Sequence, residues 1–344
     1  MTSETPRRFG LLRAFAWSII TLLGLPAATT GFGADSARHY EVARMSMACL
    51  YAIEAYAPQS VELEAAAKEA LDEVDRIDRL MSHYKPDSPL SEINREAATH
   101  PVRPPRELFD FIAESVRYSS RSSGAFDITV GPLMKAWGFF RGDGRMPSSS
   151  ELGAAARLVG VRHLRLDAEA GTVAFDAQGV ELDLGGIAKG YAIDRAVRVL
   201  RAGGVTAALV SAGGSTVYGI GRPPGAEAWA VDIQDPLDSR RSATTVRLRD
   251  RSLSIAGRSE KGFEAGGVRY SHIMDPRTGR PVQGVLSVAV LTDTGTAGDA
   301  LDDALFVMGP ERSRGYLETR PGTEAFFFLP DATNGWKMAV SGRR

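Results

Sequence analysis

The order in which two hydrophobic periodicities follow each other constrains the fold of this chain more than any other feature of its sequence. In the first half, apolar residues recur every three or four positions, which is typical of amphipathic helices. From residue 163 onwards most apolar residues alternate with polar ones, and glycines separate the short runs, which is typical of successive strands. Early helices and late, meandering strands predict an α+β fold rather than a doubly wound sheet. No stretch between residues 44 and 341 has the composition of a flexible linker, so we expect a single compact domain.

The same periodicities predict the individual elements. The predicted helices cover residues 61–81, 106–121, 150–159, 187–201 and 300–308. The predicted strands cover residues 45–55, 163–167, 172–176, 180–184, 207–211, 216–220, 228–233, 243–248, 252–256, 269–273, 286–291, 326–330 and 337–340.

The first 34 residues differ in kind from the rest of the chain. Arginines at positions 7, 8 and 13 precede an apolar stretch of 15 residues, 14–28, and small residues follow it. A membrane-spanning helix needs roughly 20 apolar residues, so this stretch is short for a span. The pattern predicts a signal or export segment over residues 1–34 and an extracytoplasmic mature protein, in a bacterial periplasm or envelope. A first core helix is the alternative.

Composition excludes several classes of protein. The 344 residues include 41 basic and 42 acidic side chains, and a net charge of −1 does not support nucleic-acid binding as the main function. The hydrophobic fraction of 44% and the charged fraction of 24% are those of a soluble globular protein, which excludes wholesale disorder. A single cysteine, Cys49, excludes a disulfide framework and a zinc site built from several cysteines.

A glycine-rich connection between a predicted strand and a predicted helix is the first candidate for chemistry. Residues 183–190 read Asp-Leu-Gly-Gly-Ile-Ala-Lys-Gly. Free backbone N–H groups at the start of a helix attract anions such as phosphate, and glycine lets the anion approach the backbone. A lysine in the first turn, Lys189, is unfavourable to the helix dipole unless an anion is nearby. The alternative is a tight turn with a solvated lysine, and a second glycine pair at 213–214 is ambiguous in the same way.

Two aspartates four residues apart are the second candidate. On a helix the carboxylates of Asp299 and Asp303 project from one face and repel each other unless a cation lies between them. Carboxylate oxygens select hard ions such as Mg²⁺, which also binds phosphates. The alternative is a helix start that acidic residues complement, with Asp299 as its cap.

Two further segments carry polar residues that suit a binding site. His272 precedes an Asp-Pro-x-x-Gly turn, and histidine suits proton transfer near neutral pH. Asp127 lies between Phe126 and Ile128 and would need a polar partner if it were buried. A structural histidine and an aromatic core are the alternatives. Jointly, the four segments fit one ligand that carries phosphates and is held by backbone N–H groups, Lys189 and a divalent cation.

Five motifs follow one another along the chain. They are Gly-Ala-Phe-Asp-Ile-Thr at 124–129, Asp-Leu-Gly-Gly-Ile-Ala-Lys-Gly-Tyr-Ala-Ile-Asp at 183–194, Ala-Gly-Gly at 212–214, His-Ile-Met-Asp-Pro-Arg-Thr-Gly at 272–279 and Asp-Ala-Leu-x-Asp at 299–303. In these motifs and their order the chain resembles the ApbE family of FAD:protein FMN transferases, over residues 44–340. Weaker similarities are Met47 and the segment from residue 81 to residue 88.

The resemblance implies an α+β, T-fold-like flavin transferase domain, which we place at residues 41–340. Members of the family bind FAD as a substrate with Mg²⁺ at its pyrophosphate. They transfer FMN to a threonine or serine of an acceptor protein through a phosphoester bond and release AMP. An acceptor bound to a membrane would bring the protein to that membrane peripherally.

The resemblance also implies roles for individual residues. Asp299 and Asp303 would be metal ligands, together with the backbone carbonyl of Gly186. Lys189 would contact the FAD phosphates, and His272 would accept the proton, so that His272, Lys189 and Asp299 form the predicted catalytic set. The predicted FAD-binding set is Met47, Tyr84, Ala125, Phe126, Asp127, Asp183, Gly186, Lys189, His272, Ile273 and Asp275.

Three positions depart from the family pattern. Asp303 replaces a common threonine, Ser215 and Thr216 follow the second glycine pair where Asp-Ile is usual, and Cys49 lies where a threonine is common. Two alternatives to transfer therefore stay open: Mg²⁺-dependent hydrolysis of FAD to FMN and AMP, and flavin binding in the envelope without catalysis.

Overall fold

The computed structural model describes residues 38–140, 142–258 and 261–342. The signal predicted for residues 1–34 lies outside these described residues. In the described part of the chain, every helix is too short or too polar to cross a bilayer.

The described residues form sixteen strands and seven α-helices. The strands are β1 (Arg38–Ser46), β2 (Cys49–Ala57), β3 (Leu164–Asp167), β4 (Thr172–Phe175), β5 (Ala207–Ala212), β6 (Thr216–Ile220), β7 (Trp229–Gln234), β8 (Ser242–Leu248), β9 (Arg251–Gly257), β10 (Gly262–Ala265), β11 (Val268–Ser271), β12 (Met274–Asp275), β13 (Arg280–Pro281), β14 (Ser287–Thr292), β15 (Glu324–Asp331) and β16 (Gly335–Gly342). The helices are α1 (Leu63–Met81), α2 (Pro89–Glu96), α3 (Arg106–Arg121), α4 (Gly131–Ala136), α5 (Ser149–Ala156), α6 (Ala188–Ala202) and α7 (Gly295–Glu318).

An antiparallel sheet of eight strands organises the molecule, in the order β1-β2-β5-β6-β9-β14-β15-β16. The residues of its strands alternate between two faces, so the central strands contribute to two hydrophobic clusters. On one face, Ile53 of β2 packs with Ile77 of α1 and Ile193 of α6. On the other face, the β7–β8 hairpin places Val231 and Leu248 in one cluster with residues of β5, β6 and β9. Helices on one face of an antiparallel sheet confirm the predicted α+β class.

Most predicted elements are confirmed to within two or three residues of their ends, and three predictions are wrong. The predicted strand 45–55 is two strands, β1 and β2, because Met47 and Ala48 adopt positive φ angles of 48° and 60° and turn the chain into a hairpin. The predicted helix 300–308 begins earlier, at Gly295, where the hydroxyl of Thr294 accepts from the N–H of Ala297. Thr294, and not Asp299, is therefore the cap of α7.

The third correction concerns residues 180–184, which are buried as predicted but form no strand. The Asn94 side chain accepts from the N–H of Leu182 and donates to its carbonyl, at 2.8 and 2.9 Å. The N–H of Asp183 donates to the carbonyl of Ile128 at 2.7 Å. The segment thus satisfies its backbone polar groups without a neighbouring strand. Helices α2 and α4 and the short strands β10, β12 and β13 were absent from the prediction.

Candidate active site

Helices α6 and α7 begin side by side, with their first turns in backbone contact. A Cβ atom added to Gly190 would clash with the carbonyl oxygen of Gly295, so glycine is required for this approach. The carboxylate of Asp194 accepts from the N–H groups of Gly295 and Thr296, at 2.7 and 2.9 Å. These contacts fix the start of α7 against α6.

The carboxylate of Asp299 lies between the two helices. Its Oδ2 accepts from the N–H of Gly190 at 2.6 Å, and its Oδ1 accepts from the hydroxyl of Thr216 on β6. The residue is only 4% exposed. Burial raises the pKa of Asp299, and the nearby charge of Lys189 opposes that rise. Asp299 is thus a buried acid that a cation beside it stabilises in its ionised form.

Asp303, one turn further along α7, faces the glycine turn that precedes α6. A Cβ atom added to Gly186 would clash with Oδ2 of Asp303, so carboxylate and turn are in direct contact. The structure therefore brings Gly186, Asp299 and Asp303 together as predicted. It adds Asp302, which is buried beside them and which sequence reasoning missed. Burial, and then the charges of Asp303 and Asp299, raise the pKa of Asp302 well above its ordinary range.

Lys189 connects the start of α6 with the turn after β5 that contains Gly213 and Gly214. Its Nζ donates to Oγ of Ser215 at 2.7 Å, and that hydroxyl donates to the carbonyl of Ala212 at 3.0 Å. The charge of Lys189 also lowers the pKa values of both Asp299 and Asp302. We call the group formed by Gly186, Lys189, Ser215, Asp299 and Asp303 the α6–α7 site.

The α6–α7 site suits a hard divalent cation. Its carboxylates are hard oxygen ligands, and burial raises the pKa values of Asp299 and of the neighbouring Asp302, which a bound cation would lower. Within the described residues, one group of three His, Cys, Asp or Glu side chains has ligand atoms that all lie within 4.8 Å of one another. That group is His39, Glu41 and Glu54 on β1 and β2, and it contains no residue of the α6–α7 site. The α6–α7 site therefore offers two carboxylates beside the Gly186 turn rather than a tight trio of side chains, and the role of the Gly186 carbonyl stays a prediction.

His272 lies in the short connection between β11 and β12. Its Nδ1 is 3.4 Å from the carbonyl oxygen of Lys261, and because a carbonyl only accepts, Nδ1 carries the proton in this contact. In the neutral ring, Nε2 is then the nitrogen that can accept a proton. The charge of His272 lowers the pKa of Asp183, so the histidine lies on the same side of the molecule as the glycine turn.

Two other predicted residues of this segment have structural partners. The carboxylate of Asp275 accepts from Nε of Arg277 at 2.9 Å and from its backbone N–H at 3.0 Å, which closes the predicted turn. Ile273 is buried in the cluster that α7 shares with β14 and β15. Their roles toward FAD stay predictions.

An aromatic group borders the glycine turn. Tyr84 is 45% exposed, and its ring stacks on that of Phe140 at a centroid distance of 5.1 Å. Burial of the hydroxyl, and then the charge of Asp183, raise the pKa of Tyr84 to about 12. His83 completes the group, with its ring centroid 4.0 Å from that of Tyr84. Sequence reasoning missed His83 because a single histidine beside a polar segment gives no signal of burial.

Met47 lies at the tip of the β1–β2 hairpin. The sulfur of Met47 accepts from the hydroxyl of Tyr51 at 3.1 Å. Burial raises the pKa of Tyr51 well above its ordinary value, and the charge of Asp299 adds to that rise. Tyr51 thus holds Met47 by a hydrogen bond, and the contact of Met47 with FAD stays a prediction.

The segment with Asp127 packs against the glycine turn. Oδ1 of Asp127 accepts from the N–H and the hydroxyl of Thr129 at 2.8 and 2.6 Å, and Oδ2 accepts from the N–H of Val161 at 3.2 Å. The buried aspartate thus has the polar partners that its position requires. Ala125 and Phe126 are buried, and the ring of Phe126 packs beside Gly186. Contact of Ala125, Phe126 and Asp127 with flavin stays a prediction.

Comparison with known proteins agrees with this geometry. The sequence profile of the ApbE family matches residues 47–327. The chain belongs to the ApbE family. A FAD:protein FMN transferase of Treponema pallidum is 33% identical over 314 residues, which is 87% of each chain. The FAD:protein FMN transferase of Escherichia coli K12 is 32% identical over 268 residues, which is 75% of this chain and 74% of that one.

Solved ApbE structures share the fold. The crystal structure of the ApbE protein of Thermotoga maritima superposes with a TM-score of 0.80 at 30% identity, and covers 88% of this chain and 97% of that one. The flavin transferase ApbE of Vibrio cholerae superposes with a TM-score of 0.79 at 28% identity, and covers 89% and 97% of the two chains. The family and the α+β fold predicted from the motifs are therefore confirmed.

Proposed function

We propose that this ApbE-family chain is a FAD:protein FMN transferase. The acceptor's threonine or serine oxygen forms a bond to the FMN-side phosphorus of FAD, and the bond from that phosphorus to the bridging oxygen breaks. The bridging oxygen leaves with AMP. The observation that carries the proposal is the convergence of Lys189, Asp299, Asp303 and the Gly186 turn on one site.

Each part of the α6–α7 site has a task in this reaction. Lys189 holds a positive charge where the diphosphate would lie, and stabilises negative charge that develops as AMP leaves. Asp299, Asp303 and the Gly186 carbonyl would hold Mg²⁺, which when bound neutralises phosphate charge. The Asp299 carboxylate is positioned before the ligand arrives, because Gly190 and Thr216 already donate to it.

His272 takes the proton of the acceptor hydroxyl in this proposal. Its Nδ1 faces the Lys261 carbonyl, which leaves Nε2 as the basic nitrogen. Its electrostatic effect on Asp183 supports a location beside the glycine turn. The hydroxyl must also lie in line behind the phosphorus, so much of the rate comes from positioning.

We also propose that the protein works outside the cytoplasm, on an acceptor in the envelope. The support is the sequence of residues 1–34 alone. Fractionation of cells that express the full chain tests this location, and recovery of the mature protein in the cytoplasm would contradict it.

One incubation tests the transfer reaction. The protein is mixed with FAD, Mg²⁺ and a peptide that bears a threonine in the family's target motif, and a threonine-to-alanine peptide serves as control. Covalent in-gel flavin fluorescence of the threonine peptide, with one AMP released per label, supports transfer. AMP without labelled peptide would mean that water is the nucleophile and the protein is an FAD hydrolase. FAD that binds without AMP release would mean flavin binding without catalysis.

A further inference from the structure

His83 forms a buried pair with Asp183 beside the glycine turn. The ring nitrogen Nδ1 of His83 lies 3.2 Å from Oδ1 of Asp183, and the side chains are 7% and 11% exposed. Burial alone would raise the pKa of Asp183, yet the hydrogen bond from His83 and the nearby positive charges hold it below its ordinary value. An ionised carboxylate only accepts, so Nδ1 is the donor of this pair.

Asp183 in turn holds the turn that leads into α6. Its Oδ1 accepts from the N–H of Gly185 at 2.8 Å, in addition to the bond from His83. Its own N–H is fixed to the carbonyl of Ile128. The carboxylate therefore bridges an imidazole on the segment after α1 and a backbone N–H two residues downstream.

The next residue of the turn belongs to the α6–α7 site. Gly186 is in contact with the carboxylate of Asp303, so a small rotation of the peptide between residues 185 and 186 changes the distance from the Gly186 backbone to that carboxylate. Among the described residues, His83 Nε2 is buried without a hydrogen-bond partner. Any effect of the imidazole as a hydrogen-bonding group therefore passes through Nδ1 and Asp183.

We propose that His83 is a positioning residue for FAD. The Nδ1 group of His83 orients the Asp183 carboxylate toward the N–H of Gly185, and the carboxylate in turn fixes the Gly185–Gly186 turn. Without the Nδ1 donor, Asp183 is a buried carboxylate with one hydrogen bond fewer, and it gains by turning toward water or by taking a proton. Either change loosens the turn that faces Asp303. The inference rests on the proposed function, because FAD is taken as the ligand of this turn.

Two substitutions separate the hydrogen bond from the shape of the ring. His83→Asn places an amide nitrogen near the location of Nδ1 and preserves the donor to Asp183. His83→Phe preserves a ring against Tyr84 and Phe140 and removes the donor. The dissociation constant of FAD is measured by flavin fluorescence, a binding readout that does not depend on turnover. It is measured once with Mg²⁺ and once with EDTA.

We expect His83→Phe to weaken FAD binding in Mg²⁺ by about 10- to 100-fold, the range that outer partners of metal and ligand sites show. His83→Asn is expected to restore most of the affinity. A histidine pair elsewhere provides the matched control: Nδ1 of His163 lies 2.7 Å from Asp176, and its Nε2 is also buried without a hydrogen-bond partner in the described residues. His163→Phe is expected to keep the FAD affinity of the wild type, although it removes the same kind of bond.

Three results would overturn the inference alone: folded His83→Phe that binds FAD as the wild type does, equal losses in His83→Phe and His83→Asn, or an equal loss in His163→Phe. Thermal melting of each variant shows whether it is folded. A wild-type protein that binds no FAD would instead overturn the proposed function, and this inference with it. Wild-type binding therefore distinguishes the two failures.

Discussion

Lys189 is the cation whose charge opposes the raised pKa values of two buried acids beside it, Asp299 and Asp302. It lies in the first turn of α6, and its charge lowers the pKa values of Asp299 and Asp302, which burial raises. Lys189→Met removes that charge and retains much of the apolar stem. We expect the rate of FMN transfer to fall by about 100-fold or more, since the loss of one preorganised charge or donor typically costs that much. The measurement is AMP release at saturating FAD, and Lys337→Met, at an exposed lysine of β16, is the control that keeps full activity.

His272 gives a second prediction at the scale of one residue. If its Nε2 takes the proton of the acceptor hydroxyl, His272→Ala lowers the transfer rate by about 100-fold or more and removes the acid limb of the pH–rate profile. A variant with near-normal transfer and an unchanged pH profile would show that the histidine is not the base.

At the scale of elements, ion pairs clamp helix α1 to α3 and α6. Glu73 of α1 accepts from Arg76 at 2.7 Å and from Arg195 of α6 at 2.8 Å, and Arg76 also binds Glu107 of α3. The hydrogen bond from Arg76 lowers the pKa of Glu73 from 4.5 to about 2, against the opposing effect of burial. The lowered pKa means that the native state binds fewer protons than the unfolded state between these two pH values. The stabilisation is complete above about pH 4.5 and is lost as the pH falls toward about 2.

Glu73→Gln tests this clamp. We expect a loss of about 1–2 kcal/mol in the free energy of unfolding at pH 7, a value reduced from the full shift because Arg76 is 39% exposed. The difference from the wild type shrinks as the pH is lowered below 4.5. Urea unfolding at pH 7 and pH 3 measures both values, and a difference that is independent of pH would contradict the assignment.

Helix α7 contains one residue whose backbone only glycine adopts readily. Gly309 has φ 70° and ψ 171°, and Pro310 follows it, so the helix is kinked between its first and second halves. Gly309→Ala is expected to cost about 1–3 kcal/mol by backbone strain alone, because no atom lies within 4 Å of the added Cβ. Gly315→Ala, in the second half with equally open space, is expected to stabilise by up to about 1 kcal/mol. Thermal melts of the two variants should therefore shift in opposite directions.

The elements also show what the sequence could and could not predict. Helix α3 begins and ends where its apolar spacing predicts, at residues 106 and 121, because one helix face packs against the core and solvent faces the other. The segment 180–184 has the alternation of a strand, yet its polar groups bind the Asn94 side chain, which lies 88 residues away from Leu182 in sequence. Alternation reports which side chains are buried, and it does not report which partner satisfies the backbone. The hairpin at Met47 was missed for a related reason, since no glycine or asparagine marks its positive φ angles.

The same limit applies to the site. The spacing of Asp299 and Asp303 and the position of Lys189 follow from helical geometry, and the structure brings them together. Asp302 and His83 were missed because their importance depends on burial by elements that are distant in sequence. The sequence shows that Ser215 has a hydroxyl where the family usually has the carboxylate of an aspartate. It does not show that this hydroxyl binds Lys189.

At the scale of the whole molecule, the site exists only when distant parts of the chain are in place. Lys189 and Gly186 come from the start of α6, Thr216 comes from β6, and Asp299 and Asp303 come from α7. The antiparallel sheet positions these elements, since β5 and β6 follow α6 and pair directly with each other, and β9 lies between β6 and β14. A ligand that contacts all of them binds the folded chain and not the unfolded one, and so it stabilises the whole domain.

Thermal unfolding with different flavins tests this coupling. With Mg²⁺ present and FAD at 100 times its dissociation constant, linkage predicts about 2.7 kcal/mol of added stability and a matching rise in the melting temperature. Riboflavin at the same concentration should raise the melting temperature far less, because it has no diphosphate for the α6–α7 site to bind. Asp299→Asn should bring the FAD shift down toward the riboflavin value, since it removes a carboxylate that we propose to bind the cation at the diphosphate. Equal shifts for FAD and riboflavin in the wild type would mean that the protein holds the flavin ring alone, and that the acids and the lysine at the helix starts serve the fold rather than the ligand.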